Sequence, residues 1–383
     1  MSGRISGAVR ERRRRAWLVV VGVVVGLGGL ELIGAIGLHV LKEPPALPAE
    51  LRDSVSLAGR GDATQPDPYL GYRIRPNLDD ERVRTNRYGL RAGPIDAVPS
   101  ADTLRILLLG GSTAWSYTAR NNDETLAVVL ERKLAAHLAS HPDFQGRRVE
   151  VLNAGVPGYV AWQSALSYTL RHRKLAPHAV VSLEGSNDIS GAITNAQAGV
   201  PMRYFLTRDL YLRERPELWR DLRRWATHRL QRAKLGQFLQ QLDPPDVSEL
   251  GAPAPEEVAA AYGRALEHLA EQTRADGARL LVVLQPVSSL TLGKPLTGFE
   301  QAVNAHEDAV MPGRNDYYAR SARQMRGVLE ELETRPGVAT LDGNLAFDGV
   351  SRVAFTDPVH LTPIGREHLA AAMLEPLSQL LAP

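Results

Sequence analysis

The sequence predicts a three-layer α/β fold, a mainly parallel sheet with helices on both faces, preceded by one N-terminal transmembrane helix. Three observations carry this expectation. After Asp102, short apolar runs alternate with longer amphipathic segments, the pattern of strands joined by crossover helices. One run, Arg105-Ile-Leu-Leu-Leu-Gly-Gly-Ser112-Thr113, reads as a buried strand ending in a tight turn. At the N-terminus, the basic stretch Arg10 to Arg15 abuts Ala16 to Leu41, which is apolar apart from Glu31 and His39.

Residues 16–41 are long enough to span a bilayer, which takes about 20 mostly apolar residues. Positive residues stay on the cytoplasmic side. Residues 1–15 therefore read as a basic cytoplasmic tail, with the bulk of the chain outside, in the periplasm or its equivalent. A cleaved signal peptide competes, with Ala16 to Leu30 as its apolar region and a cut near Gly34-Ala35. The apolar character continues past that point and favours an uncleaved anchor. A core helix fits poorly beside four consecutive arginines.

Residues 42–65, rich in Pro, Ala, Gly and charge, read as a linker. Residues 66–101 form an irregular β-type lead-in, with Pro66 to Asn77 and Arg84 to Arg91 carrying aromatics between turn residues. The main domain spans 102–383. Its expected strands are Leu104 to Leu109, Val149 to Leu152, His178 to Leu183, Arg279 to Leu284 and Val338 to Leu341. Its expected helices are Glu124 to Leu138, Ala161 to Arg173, Glu256 to Ala275, Tyr317 to Leu332 and Pro363 to Leu381. A helical insertion interrupts it at 189–251, where Leu218, Leu222, Trp225, Leu235, Phe238, Leu239 and Leu242 recur at helical spacing among arginines. This segment is either a surface helix pair with a solvated basic face or a lid able to touch membrane or an anionic polymer.

Composition narrows the function. The 383 residues, 44% hydrophobic, suffice for one sizeable core. A formal charge of +2 gives no sign of nucleic-acid binding. Cysteine is absent, which excludes disulfides, thiolate catalysis, Cys-ligated zinc and an acylated lipoprotein cysteine.

The candidate chemistry lies at strand ends. Ser112 would sit at the carboxyl edge of the sheet, where open α/β sheets place ligands, although Ser112 or Thr113 could equally cap a helix. Asp357 and His360, three residues apart, have the logic of a serine triad: the aspartate takes the Nδ1 proton and leaves Nε2 to face a nucleophile. A surface Asp-Pro turn with an incidental histidine is the plainer alternative. Gly158 and Asn187, with the Ser112 N–H, are candidate oxyanion donors, though turn geometry or an Asx turn would also explain them. Asp188, Asp357 and His360 would suit a metal in a phosphoesterase. His137 and His141 lack the glutamate of a His-Glu-x-x-His site and read as solvent-facing. No metal and no cofactor is expected. The Gly-x-Ser-x-Gly pentapeptide of α/β-hydrolases is missing around Ser112.

Four blocks together resemble the SGNH (GDSL-type) hydrolase family: Gly110-Gly111-Ser112-Thr113, Asn153 to Gly158, Gly185-Ser186-Asn187-Asp188, and Asp357-Pro-Val-His360. The resemblance runs from Leu104 to Leu381 outside the insertion, and Tyr69 to Leu90 looks like the lead-in of bacterial membrane-anchored members. It implies a flavodoxin-like three-layer sheet, a nucleophile at Ser112, oxyanion donors at Gly158 and Asn187, and a triad completed by Asp357 and His360. One departure stands out: Gly111 occupies the place of the aspartate in the family's name motif, so hydrogen bonding around the turn must differ. The expected activity is hydrolysis of an O-acyl ester, foremost O-acetyl, outside the cytoplasm through an acyl-serine. The close alternative is O-acetyl transfer to an envelope or exported polysaccharide, with a membrane partner supplying the acyl group. A metal-dependent phosphoesterase and a silent binding module rank lower, since Ser, His and Asp are all present. The partners implied are an acyl ester such as an acetylated glycan, and the membrane through residues 16–41.

Overall fold

The computed structural model describes residues 44–55, 63–198, 244 and 246–382. Contacts divide the chain into two units, and the one formed by Pro45–Tyr211 and Asp246–Pro383 carries every element described below. The expected tail, transmembrane helix and most of the insertion lie outside the described residues. Among the described residues no helix is long and apolar enough to cross a membrane.

A five-stranded parallel sheet forms from β3 (Thr103–Gly110), β4 (Arg148–Asn153), β5 (Ala179–Glu184), β6 (Arg279–Leu284) and β7 (Val338–Asp342), in the order β4-β3-β5-β6-β7. Parallel strands covered on both faces read as unbroken apolar runs, and all eight residues of β3 are buried. Alternate side chains divide between two cores. Ile106, Leu108, Val181, Leu183 and Leu281 pack against α1 (Leu126–Leu138), α7 (Pro363–Ala372) and α8 (Leu374–Leu381). Leu107, Leu109, Val180, Leu280 and Val282 pack against α2 (Ala161–Ser167), α3 (Ser186–Ala198), α4 (Pro255–Ala275) and α6 (Arg314–Glu333). The order is that of flavodoxin-like sheets, and it reverses at β3, so the ligand crevice opens beyond the carboxyl ends of β3 and β5.

Several elements depart from expectation. The segment expected as one closing helix is two, because Pro376 has no N–H to give the Ala372 carbonyl and its ring crowds that group. The stretch after Ala161 leaves α-geometry at Tyr168, continuing as a π turn and then a 3₁₀ turn to Leu175. A helix absent from the expected list, α5 (Gly298–Val310), starts at a capping box between Thr297 and Glu300. Residues 189–198, expected within the insertion, belong to α3, whose Ile189, Ala192 and Ile193 are core residues. The linker also holds structure, a helical turn at Ala49–Arg52 and the start of a hairpin at Thr64.

That hairpin, β1 (Thr64–Asp67) and β2 (Gly71–Ile74), opens the lead-in. Leu70, Ile74 and Val83 pack on Trp115, Val156 and Tyr159. The Tyr72 hydroxyl donates to the Pro157 carbonyl at 2.9 Å, and Gln163 donates to the Leu70 carbonyl at 2.9 Å. The lead-in thus backs the two turns that follow β3 and β4.

Candidate active site

Gly110 ends β3 at φ +144°, where a Cβ would run into the Leu183 carbonyl and Ala114. Only glycine permits so sharp a turn there. A single helical turn, Ser112–Trp115, follows with Gly111 as its cap. Neither hydroxyl near its start caps it. Thr113 Oγ1 donates to the Val359 carbonyl at 3.0 Å, and Ser112 Oγ meets His360 Nε2 at 2.7 Å. Both capping alternatives for Ser112 and Thr113 are therefore replaced by contacts to the loop just before α7.

In that loop His360 Nδ1 lies 2.6 Å from Asp357 Oδ2, while Asp357 Oδ1 accepts the N–H groups of Val359 and His360, each at 2.9 Å. Burial pushes the Asp357 carboxyl up, but His360 beside it and these hydrogen bonds outweigh that and hold it below the ordinary value. An ionised Asp357 can only accept, so Nδ1 carries the proton and Nε2 is left to accept from the serine hydroxyl. The surface-turn alternative for this pair does not survive the geometry. The loop is fastened to the Ser112 turn a third time, through Thr118 Oγ1 and the Leu361 carbonyl at 2.6 Å, and Arg366 bridges both. The Tyr117 ring stacks on His360 with centroids 5.2 Å apart.

Each of the three oxyanion candidates has an N–H to offer. Ser112 is the first residue of a helical turn, so its N–H has no intrahelical partner. Gly158, at φ +83°, presents an N–H without a hydrogen-bond partner among the described residues. Asn187 Nδ2 donates one hydrogen to the Tyr159 carbonyl at 2.8 Å, which aims the amide and leaves the second hydrogen. That amide also explains Gly111. A Cβ on residue 111 would overlap Asn187 Nδ2, so the space beside Gly111 is filled by that amide.

Searches against known proteins add little. Neither the family models nor the curated proteins match the chain. Among solved structures, similar chains include LAE5, an α/β hydrolase enzyme from the metagenome of Lake Arreo, Spain, at 17% identity, 72% coverage of this chain, 95% of that chain and a TM-score of 0.38. TesA aligns at 13% identity over 72% of this chain and 99% of that chain, with a TM-score of 0.38. Axe2, an acetylxylan esterase from Geobacillus stearothermophilus, aligns at 15% identity over 71% and 92%, with a TM-score of 0.37.

Other expected candidates lie elsewhere. Asp188 accepts the Ala161 N–H at the start of α2, at 3.1 Å. It is not gathered with Asp357 and His360 into a metal-holding group among the described residues. Behind it Glu184 is buried, and desolvation together with Asp188 pushes Glu184 well above the carboxylate range. Desolvation likewise pushes Asp188 up, to about 7. His137 and His141 stack 5.1 Å apart, with His137 Nε2 3.8 Å from Glu375 of α8, so the pair is half-buried rather than solvent-facing. A cavity of about 600 Å³, lined by Asn77, Arg84, Arg87 and Asn122 among others, belongs to the lead-in and shares no residue with the triad.

Sequence reasoning passed over several supports of the site. Asn153 donates to the Ala114 carbonyl at 3.0 Å and accepts from Gly155, binding the turn after β4 to the nucleophile turn. Arg91 is 2% exposed and donates to the Trp115 and Ser116 carbonyls at 2.8 and 2.9 Å. A lone arginine in a lead-in gave no signal for that role. Thr113 had one, being in the motif itself.

Proposed function

We propose that this chain is a serine esterase. The observation that carries the reading is the unbroken relay Ser112–His360–Asp357, at 2.7 and 2.6 Å. His360 Nε2 takes the Ser112 proton as Oγ attacks the acyl carbonyl. The resulting oxyanion accepts from the N–H groups of Ser112 and Gly158 and from Asn187 Nδ2. The C–O bond to the alcohol then breaks, and His360 returns the proton to the departing oxygen. Water repeats the sequence on the acyl-serine and releases the acid.

The substrate proposed is an O-acyl ester, foremost O-acetyl, met outside the cytoplasm by a domain tethered through residues 16–41. Arg10 to Arg15 before that apolar run supports the orientation. O-acetyl transfer to a glycan is the second reading. It is favoured by one observation: α3, which presents Asn187, leads directly into the arginine-rich insertion. Acceptor choice depends on water exclusion.

A serine-directed fluorophosphonate probe on the full chain tests the reading, with Ser112→Ala as control. Labelling and turnover of a short-chain aryl ester should both vanish in the variant. Turnover that persists removes Ser112 from the mechanism. Release of free acid against acyl group recovered on an added glycan then separates hydrolysis from transfer. A reporter fused after Pro383 and active only in the cytoplasm would overturn the orientation.

A further inference from the structure

A buried ion pair lies under the loop that presents Asp357 and His360. Lys294 Nζ and Glu300 Oε2 are 2.9 Å apart, with side chains 0% and 1% exposed. Every hydrogen of the ammonium is placed, on Glu300 and on the carbonyls of Val350 and Arg352, both at 3.0 Å. The carboxylate is equally occupied. Oε2 accepts from the Thr297 N–H and hydroxyl at 3.0 Å, and Oε1 accepts from the Ala354 and Phe355 N–H groups at 2.9 and 3.3 Å. The lysine therefore grips two carbonyls of the loop and the glutamate grips two of its N–H groups.

The gripped residues are the root of the acid–base loop. Ala354 O accepts from Thr362 N–H at 2.9 Å, Phe355 bridges to Leu361, and Thr356 N–H donates to the His360 carbonyl at 2.9 Å. Asp357 comes two residues after the last gripped position. Among the described residues no strand of either sheet flanks residues 350–355, which have only the Phe355–Leu361 bridge, and their buried backbone groups need further partners. A well-packed apolar pair would stabilise the core as well as a buried ion pair does, since desolvation of two charges offsets their attraction. What the apolar pair lacks is donors and acceptors in fixed places.

We propose that Lys294 and Glu300 are positioning residues, a buried clamp that fixes the root of the acid–base loop and so sets the His360–Ser112 distance. Neither touches a reacting atom. The inference rests on the triad reading above. Proton transfer needs the histidine nitrogen within hydrogen-bond reach of the hydroxyl, and displacement by a fraction of an ångström at the root is passed on to His360.

The test uses the full chain with Glu300→Asp, and with the neutral, near-isosteric double variant Lys294→Met/Glu300→Gln. Glu300→Asp keeps the charge and the lysine partner but draws the carboxylate back by one methylene from Ala354 and Phe355. The expected result is a folded protein with KM unchanged, and with kcat and fluorophosphonate labelling rate falling together by about tenfold to a hundredfold. Tyr168→Phe, which removes the hydrogen bond from its hydroxyl to Asp276 just before β6, at the amino edge of the sheet, should lower Tm and leave kcat alone. Wild-type kcat and labelling in folded Glu300→Asp, however low its Tm, would overturn the proposal. Variants that never fold would also overturn it, by making the pair a folding determinant only. Failure of the triad reading shows separately, as Ser112→Ala retaining wild-type turnover.

Discussion

Asp357→Asn gives the sharpest trial of the relay, because the structure dictates which way the new amide must face. Asp357 Oδ1 accepts two backbone N–H groups, from Val359 and His360, at 2.9 Å each. In the variant the amide oxygen has to stay there, since an NH₂ group turned toward two N–H donors would leave all of them unsatisfied. The NH₂ then points at His360 Nδ1, 2.6 Å away in the wild type. A donor in that place makes Nδ1 the acceptor and moves the ring proton to Nε2. Nε2–H now faces Ser112 Oγ across 2.7 Å and cannot take its proton. The same tautomer inversion in serine proteases costs about 10⁴-fold in kcat, which is about 5 kcal/mol of transition-state stabilisation. The assay is kcat for a short-chain aryl acetate between about pH 6 and 9, with fluorophosphonate labelling run in parallel and circular dichroism to confirm the fold. A loss smaller than about tenfold would mean that Asp357 does not set the tautomer and that the relay is drawn wrongly.

Three further outcomes follow from the same geometry. Asn187→Ala should lower kcat by about a hundredfold or more with little change in KM, as loss of an oxyanion donor does; an unchanged kcat places the donor elsewhere. Gly111→Ala puts a methyl where Asn187 Nδ2 now lies, so kcat should fall; wild-type turnover would show that the amide is not confined there. Asp188→Asn tests the buried carboxyl pair. Desolvation raises Asp188 from 3.8 to about 7, so between those values the folded state keeps a proton that the unfolded chain has lost, and wild-type stability falls as pH rises. The variant should gain on the wild type in urea midpoint from about pH 4 to about pH 7; a constant difference refutes this.

Much of the framework was legible because parallel strands buried on both faces leave a plain trace. β6 runs over Arg279–Leu284 as expected, and β3, β4, β5 and β7 differ from expectation by one residue at one or both ends. The triad was legible for a chemical reason: Asp357 and His360 close a contact over three residues, and glycines before Ser112 mark where the backbone turns. What stayed hidden broke the usual rule that Lys, Glu and Arg face water. Lys294, Glu300, Arg105 and Arg366 are all buried. Lys294 and Arg105 meet a carboxylate and backbone carbonyls, Glu300 meets an ammonium and the Ala354 and Phe355 N–H groups, and Arg366 meets the Thr118 hydroxyl, and most of these partners lie far off in sequence. Arg105, inside β3, reaches Glu150 at 2.6 Å and the carbonyls of Asp96, Ala97 and Leu175. Two misses were avoidable. Thr297-Gly-Phe-Glu300 is a capping-box signature, and Pro376 marks the break before α8.

The Ser112–His360 contact joins residues 248 positions apart. During synthesis the serine therefore emerges long before the histidine, and the relay cannot assemble until the segment ahead of α7 has been made. A growing chain carries its nucleophile without a base. If the chain is threaded through a membrane as proposed, that order keeps the site silent on the side where it is made and completes it only on the side where it works. The same spacing means that a cut in a loop between Ser112 and Asp357 leaves the serine on one piece and the Asp357–His360 pair on the other, joined only by packing. Two separately expressed pieces could then restore activity simply by docking.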